Sequence, residues 1–326
     1  MAIQQQTTDT ILVSDAPDIP GLHFRGFQGD ADYPRMVAVI QGSKVEDGIE
    51  RVVTVEDVAR YFAHLTNCDR YADMLFAEVD GEVIGYERVT WWEELNTGKL
   101  IYLSIGFLLP EWRRQGIGRA MLRWAENRLR EIAANHPDGP RFFENWASEP
   151  ERAKHALLKS EGYQPVTYDA DMVRPDLENI PDAPLPEGLE VRPVEPEQYR
   201  AIWEADKEAF RDHWGYTEDE YTEEAYQQWL TDPVIFTPEL WKIAWDGDEV
   251  AGQVRSFINH QENEEYNRQR GYAEFISVRQ PWRRRGLARA LIAQSLHELK
   301  ARGMEEAALG VHTENPNGAF RLYKSM

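Results

Sequence analysis

The sequence contains one motif twice, and this internal repeat constrains the fold more than any other feature. The stretches PEWRRQGIGRAML and QPWRRRGLARALI place Arg113 opposite Arg283, an offset of 170 residues (283 minus 113). A second match upstream, GLHFRGF with GLEVRPV, has an offset of 167 (188 minus 21). An Asp-Gly turn before a strand is a third match at nearly the same offset. A unit of this length has the size of a domain, so the pattern predicts a duplicated domain.

A proline-rich linker separates the two copies. Four prolines lie between residues 175 and 186, mixed with acidic side chains. Prolines at this density give an extended, semi-rigid connector. We therefore predict a first domain at residues 1–179 and a second at residues 180–326. The length agrees, because 326 residues are more than one compact core usually encloses.

Apolar periodicity predicts a strand followed by a helix around each repeated motif. Residues 100–109 and 272–278 are apolar and partly β-branched, as in buried strands. After Gly116 and after Gly286, apolar side chains recur every three or four residues, which is typical of an amphipathic helix. We therefore expect an α/β or α+β fold in which each tandem domain has a mixed central sheet flanked by helices.

The charge and the cysteine count limit the partners. Acidic residues number 57 and basic residues 36, so the formal net charge is −21. Such a surface repels nucleic acid and attracts a cationic small molecule, although solubility or adaptation to salt or heat also explains it. The single cysteine, Cys68, has no activating neighbours and forms no internal disulfide, and no cluster has metal-ligand spacing, so we expect no metal.

The N-terminal residues and the hydropathy of the sequence indicate the cellular location of the protein. No apolar run is long enough to span a bilayer, and the polar first ten residues do not resemble a secretory signal. We expect a cytoplasmic protein that binds neither membranes nor nucleic acid. The duplication supplies a pseudo-dimer, so a monomer and a homodimer are both open.

The repeated motif has the chemistry of an anion-binding loop. In the second copy a strand ends near Val278, three arginines come next, and Gly286 opens a helix. A helix N-terminus presents unpaired N–H groups and a positive dipole end, and glycine lets a ligand approach the backbone. The pattern is neither a Walker loop nor a dinucleotide fingerprint. It predicts a phosphate site, and the alternative is an ordinary strand–helix turn with solvated arginines.

These motifs resemble those of a known superfamily. RRRGLA from Arg283 and RRQGIG from Arg113 resemble the [QR]-x-x-G-x-[GA] motif of the GCN5-related N-acetyltransferases (GNAT). The downstream ENPNGAFRLYKSM resembles the later family motif, in which an Asn precedes a helix bearing a Tyr. The resemblance covers nearly the whole chain as two copies, and the tandem pair resembles the mycothiol synthase type.

The resemblance implies transfer of an acetyl group from acetyl-CoA to a primary amine of a small molecule, by direct attack in a ternary complex. The strand end would pair with the pantetheine arm, and the loop and helix start would hold the pyrophosphate. In the second copy these residues are Ile276, Ser277, Val278, Arg283, Arg284, Arg285, Gly286, Leu287, Ala288 and Arg289. In the first copy they are Gly106, Phe107, Leu108, Arg113, Arg114, Gln115, Gly116, Ile117, Gly118 and Arg119. Asn315 either contacts CoA or caps its helix.

The resemblance also assigns catalytic roles. Tyr323 matches the general acid that protonates the leaving thiolate, and the alternative is a core tyrosine. The N–H of Val278 would bind the thioester oxygen. Glu274, four residues earlier on the same side of the strand, is the candidate general base or else a member of a structural ion pair. In the first copy Leu158 stands opposite Tyr323, so that half is expected to be structural or cofactor-binding.

The acceptor is less defined. The segment from Phe210 to Tyr221 mixes aromatic and acidic residues, and it is a candidate for the acceptor pocket. The polar loop from His260 to Arg270 is a second candidate. The alternatives are that the first segment is an ordinary amphipathic helix and the second a solvated loop. The residues expected to recognise the amine are Asp212, His213, Trp214 and Tyr216. An amino sugar, aminoglycoside, polyamine, amino-acid derivative or protein N-terminus all fit. The alternative function is a non-catalytic acyl-CoA-binding sensor or scaffold.

The two copies differ in length beyond their last helix. The first copy continues about 14 residues past Lys159, whereas the sequence ends at Met326, shortly after Tyr323. We expect that either the second copy has been shortened or its final strand is supplied from elsewhere.

Overall fold

The computed structural model describes residues 10–213, 215–314 and 318–326. The chain divides into two compact units, Met1–Gln164 and Pro165–Met326. Each unit contains a mixed sheet with helices packed on it, which confirms the predicted fold class. Within the described residues, no helix is both long and apolar enough to cross a membrane.

The first unit contains a sheet in which the strands are arranged in chain order. Its strands are β1 (Leu22–Arg25), β2 (Met74–Val79), β3 (Glu82–Glu94), β4 (Lys99–Leu108) and β5 (Arg141–Glu144). Its helices are α1 (Tyr33–Asp47), α2 (Val55–Ala63), α3 (Ile117–Ala133) and α4 (Arg152–Ser160). Neighbouring strands are antiparallel up to β4, and β4 pairs with β5 in parallel.

The core of the first unit lies on both faces of this sheet. Phe76 and Tyr86 pack against α1 and α2 on one face. Val89 and Tyr102 pack against α3 on the other, where Ala125 and Leu129 are buried. The buried positions of α3 recur at the spacing expected from the sequence, so its amphipathic pattern is confirmed.

The second unit repeats this plan with an added strand. Its strands are β6 (Asp169–Arg174), β7 (Glu190–Val191), β8 (Lys242–Asp246), β9 (Glu249–Phe257), β10 (Arg270–Val278) and β11 (Glu306–His312). Its helices are α5 (Tyr199–Phe210), α6 (Glu223–Thr231), α7 (His260–Glu265), α8 (Leu287–Ala301) and α9 (Ala319–Lys324). The strand order is β6-β11-β10-β9-β8-β7, and β10 and β11 are parallel.

The added strand β6 explains where the unit boundary lies. β6 pairs with β11 in antiparallel register, from Arg174 opposite Ala307 to Asp169 opposite His312. Because these residues hydrogen-bond to the second sheet, the division falls after Gln164, whereas the proline-rich linker had placed it near residue 180. The strand expected after the second copy is thus supplied by residues that precede that copy.

Candidate active site

The candidate site lies where two parallel strands of the second unit separate. β10 and β11 pair at their amino-terminal ends, and the pairing stops with Tyr272 opposite Ala308. Both strands continue, β10 to Val278 and β11 to His312. Their carboxyl ends therefore leave a gap. An extended ligand with amide groups is the kind of molecule that such a gap accepts as an added strand.

A β-bulge in β10 lies beside this gap. The register between β9 and β10 shifts between Glu274 and Ser277, and Phe275 has a left-handed φ of 50°. A bulge bends its strand and changes the direction of neighbouring side chains. A bulky residue in this conformation is uncommon, so the surrounding structure must hold it there.

The end of β10 directs a backbone donor into the gap. Arg279 N donates to Ala251 O, on the β9 side, at 3.1 Å. Successive N–H groups of a strand point to opposite sides, so the N–H of Val278 points away from β9. This is the donor that the sequence assigned to the thioester oxygen.

The loop after β10 has the geometry of an anion site. Gly286 has a φ of 88°, and a side chain there would meet nothing within 4 Å. Arg284 is also left-handed, with a φ of 62°. The α8 ladder begins at Ala290 N, which donates to Gly286 O at 3.1 Å. The N–H groups of the first helical turn precede that bond, so they are available to a phosphate.

The first arginine of each motif bonds to other parts of its own unit, whereas the arginines that follow it in the second unit are exposed. Arg283 Nε donates to Val278 O at 2.8 Å, and its guanidinium pairs with Asp212. Arg113 repeats this arrangement, with Leu108 O at 2.9 Å and Asp47 at 2.5 Å. Each guanidinium group therefore holds a strand end against the region where the unit's first long helix ends.

The positive charge at the loop comes from the later arginines. Arg284 and Arg285 are exposed. Arg285 donates to Glu187 O and Arg289 to Ser325 Oγ, both uncharged acceptors, so their charge is not neutralised by these bonds. Exposed guanidinium groups beside a helix N-terminus favour an anionic ligand.

The two proposed catalytic residues interact electrostatically within the second unit. Glu274 is half-buried in β10, and its Oε1 accepts a hydrogen bond from Gly310 N of β11 at 2.7 Å. Burial, with a smaller contribution from Asp171, raises the pKa of Glu274 to about 7. Tyr323 of α9 packs against the core, and burial followed by the charge of Glu274 raises its pKa. The second unit thus holds a carboxyl whose pKa is raised towards neutrality, and its charge helps to keep the phenol of Tyr323 protonated.

The first unit has a matching loop but a different gap. Arg114 and Gly116 have φ angles of 62° and 93°. However, the β3–β4 register runs unbroken along β4, so this strand has no bulge between Lys99 and Leu108. Where the β4–β5 pairing stops, Asn145 Nδ2 donates to Ser104 O at 2.9 Å and bridges the strands.

Other predicted residues of the first unit also have protein partners. Arg119 pairs with Glu161 at 2.7 Å, and Gln115 donates to Glu111 O at 2.9 Å. Gly106 lies directly against the buried carboxylate of Glu87, which leaves no room for a side chain. These contacts fill part of the region that the resemblance assigns to a cofactor.

The predicted acceptor residues are distributed along the segment after α5. The hydrogen bond from Arg283 holds the pKa of Asp212 below its ordinary value, so Asp212 is an ion-pair partner. The ring of His213 lies 5.9 Å from that of His312, at the end of β11. Tyr216 is buried and donates to Glu218 at 3.4 Å. Trp214 and Asn315 lie outside the described residues.

The second polar segment lies at the other end of β10. Residues 260–265 form α7, and Asn263 bonds to both backbone groups of Arg270, where β10 begins. The shallow polar depression beside α7 is therefore one strand length away from Val278.

Sequence reasoning missed Asp206, a fully buried carboxylate on α5. Its carboxylate accepts hydrogen bonds from Ser277 and Arg255 at 3.0 and 2.8 Å. The available signal was an acidic residue on the apolar face of the helix, between Ala205 and Ala209. Within the described residues, no three His, Cys, Asp or Glu side chains are grouped so that they could hold a metal ion.

Comparison with known families agrees with this geometry. The model described as the acetyltransferase (GNAT) family matches residues 199–326, and the acetyltransferase (GNAT) domain model matches residues 70–165. Together they cover more than half of the chain. The chain therefore belongs to the GNAT acetyltransferases, with two such domains, and is an acyltransferase.

Solved structures match the fold over nearly the whole chain. A GNAT N-acetyltransferase from Sphaerobacter thermophilus is 26% identical with a TM-score of 0.68, and the match covers 95% of this chain and 91% of that one. A tandem GNAT protein from the clavulanic acid biosynthesis pathway is 15% identical with a TM-score of 0.59, covering 92% and 93%. A putative acetyltransferase from Pyrococcus horikoshii is 16% identical with a TM-score of 0.51, covering 94% and 84%. No curated protein matches the chain.

Proposed function

We propose that the second unit transfers the acetyl group of acetyl-CoA to a primary amine of a small molecule, by direct attack in a ternary complex. The observation that carries this proposal is the position of Glu274 at the gap between β10 and β11, where its charge also raises the pKa of Tyr323. The gap, the donor loop and the acid–base pair occur together in this unit.

The donor site is supported by the fit of the loop to a phosphate group. The backbone at Gly286 is open, and the first N–H groups of α8 and the exposed guanidinium groups of Arg284 and Arg285 would hold the pyrophosphate. The strand end from Ile276 to Val278 would hold the pantetheine arm. When bound, acetyl-CoA supplies an activated acetyl thioester.

The proton steps are derived from the environments of the two side chains. An amine is mostly protonated at neutral pH, and ionised Glu274 would accept that proton so that the nitrogen can attack the carbonyl carbon. The N–H of Val278 would stabilise negative charge developing on the carbonyl oxygen. As the carbon–sulfur bond breaks, Tyr323 would give its proton to the thiolate. The nitrogen loses its second proton to solvent as the amide forms, and Tyr323 recovers a proton from solvent.

The first unit is proposed to be structural. Its strand β4 lacks the bulge, Asn145 bridges the gap, and Leu158 stands where the second unit has Tyr323. Its loop nevertheless has the same left-handed backbone at Arg114 and Gly116 as the second unit has at Arg284 and Gly286. The experiment below therefore includes a variant of each loop.

The decisive experiment is calorimetric titration of acetyl-CoA into the wild type and two matched variants, Gly116→Glu and Gly286→Glu. A carboxylate in either loop repels the pyrophosphate. We expect Gly286→Glu to abolish binding in the second unit and Gly116→Glu to change it little. Absence of binding by the folded wild type would contradict the donor assignment.

Catalysis is tested separately, by thiol release from acetyl-CoA in the presence of glucosamine, spermidine, kanamycin and an amino-acid amide. Tyr323→Phe should reduce the turnover of any accepted amine by about 10²- to 10⁴-fold and leave acetyl-CoA affinity unchanged. If acetyl-CoA binds but no panel member is acetylated, the acyl-CoA sensor becomes the better description.

A further inference from the structure

A buried polar cluster lies under the bulged end of β10. Asp206 is 3% exposed, and its Oδ1 accepts hydrogen bonds from Gln253 Nε2 at 2.8 Å and from Ser277 Oγ at 3.0 Å. Its Oδ2 accepts from Arg255 Nη2 at 2.8 Å and from the hydroxyl of Tyr221 at 3.5 Å. One carboxylate therefore joins α5, β9, β10 and the segment before α6.

The first unit has different side chains at the strand pair that corresponds to Gln253 and Ser277. The strand registers align Gly252 opposite Val278 with Gly85 opposite Leu108. The next pair along is Gln253 with Ser277 in the second unit.

In the first unit that next pair is Tyr86 with Phe107, whose rings lie 5.2 Å apart and pack against the apolar core. The same fold thus accommodates an aromatic pair at this position, and the carboxylate with its Gln and Ser partners belongs to the unit that carries Tyr323.

Retaining this cluster costs stability. Burial raises the pKa of Asp206, which shows that the ionised form is desolvated, and the partners offset that cost only while all of them remain in place. A buried polar network whose members are satisfied makes the structure around it rigid.

The part of the structure that this network contacts is the end of β10. Ser277 comes after the bulge and immediately precedes Val278, the donor proposed for the thioester oxygen. The guanidinium of Arg255 lies 4.5 Å from the ring of Phe275, the left-handed residue of the bulge. Asp206 therefore contacts Ser277 directly, and it reaches the bulge residue Phe275 indirectly, through Arg255.

We propose that Asp206 is a positioning residue for acetyl transfer. It holds the bulged strand end so that the Val278 N–H meets the developing oxyanion, and through Tyr221 it ties the acceptor-side segment to the same strand. The inference rests on the proposed function of the second unit. A displacement of the donor by a fraction of an ångström weakens stabilisation of the transition state and changes ground-state binding little.

The test is the kinetics of Asp206→Asn in the full chain, measured by thiol release from acetyl-CoA with the amine panel. We expect kcat to fall about 10- to 100-fold, with the dissociation constant of acetyl-CoA changed less than about twofold. The matched control is Asp32→Asn. Asp32 is equally buried and pairs with Arg25 at 2.7 Å in the first unit, so its loss should lower stability without changing kcat.

A double-mutant cycle separates positioning from general damage. If Asp206 acts through Ser277, then Ser277→Ala should cost much less in the Asp206→Asn background than in the wild type. If Asp206→Asn does not fold, Asp206→Leu with Arg255→Met removes both charges together, and it should retain stability while losing kcat.

These experiments distinguish failure of the role proposed for Asp206 from failure of the proposed acetyl transfer. A wild type active on the panel, inactivated by Tyr323→Phe but unaffected in kcat by loss of Asp206, overturns this inference alone. Additive effects in the cycle overturn the route through Ser277, and with it the positioning role. A wild type that releases no thiol with any amine overturns the proposed function and this inference with it.

Discussion

Glu274 and Glu87 are glutamates on central strands, one in each unit, and burial raises the pKa of each to about 7. Asp212 has the opposite environment, because the hydrogen bond from Arg283 lowers its pKa. Desolvation and pairing therefore decide which carboxyl can exchange a proton near neutrality. Each of the two glutamates should then leave its own signature in the pH dependence of the protein.

For Glu274 the signature is in the rate. As a base, Glu274 must be ionised, so log kcat should rise by about one unit per pH unit below pH 7 and level off above it. Glu274→Gln should lower kcat and remove this inflection, which a profile from pH 5.5 to 9 would show. An unchanged inflection in the variant would mean that another group is the base.

For Glu87 the signature is in stability. Because the pKa of Glu87 is higher in the folded state, folding retains a proton that the unfolded chain releases, and stability is lost as pH rises from about 4.5 to about 7. The loss is about 3 kcal/mol. Glu87→Gln remains neutral throughout, so in urea unfolding it should gain stability over the wild type at pH 8 but not at pH 4.5. Equal differences at both pH values would exclude this account.

At the scale of elements, the second unit depends on a strand from outside its repeat. β6 covers the edge of β11 along six residue pairs, and the proline-rich segment then leads from β6 to β7. A sheet edge without such a cover presents unpaired backbone groups. β6 therefore contributes to the stability of the second unit, although the repeat in the sequence would place β6 in the first copy.

Fragments test this assignment. Residues 165–326, which include β6, should fold and unfold in one cooperative transition. Residues 180–326 lack β6, so they should be unfolded or aggregate through the exposed β11 edge. Circular dichroism melts and light scattering of both fragments give the comparison, and equal stability of the two would contradict it.

At the scale of the whole molecule, the formal net charge of −21 bears on the acceptor. The field of an acidic protein raises the local concentration of cations and is screened by salt. The exposed guanidinium groups of Arg284 and Arg285 are then a local exception, which favours an anionic ligand.

Salt dependence separates acceptors by charge. If both spermidine and glucosamine are accepted, kcat/KM for spermidine should fall more steeply with ionic strength than that for glucosamine, because spermidine carries more positive charge. Steady-state rates between about 0.01 and 0.15 M salt cover the range over which the Debye length shortens from about 30 to 8 Å. Parallel slopes would show that the acidic surface does not guide the acceptor.

The sequence by itself determined the features that local patterns encode. The repeat predicted two related units, and the apolar spacing after Gly116 and Gly286 predicted α3 and α8. These signals are local, because helix periodicity depends on residues near in sequence.

Only the tertiary structure decided the rest. The pairing of β6 with β11, the bulge at Phe275 and the contact of Asp206 with Ser277 join residues that lie far apart in sequence or depend on such contacts. Phenylalanine has no local preference for a left-handed backbone, so no sequence pattern predicted the bulge. Strand partners and buried polar contacts are chosen by the packing of the whole unit, and for that reason they became visible only in three dimensions.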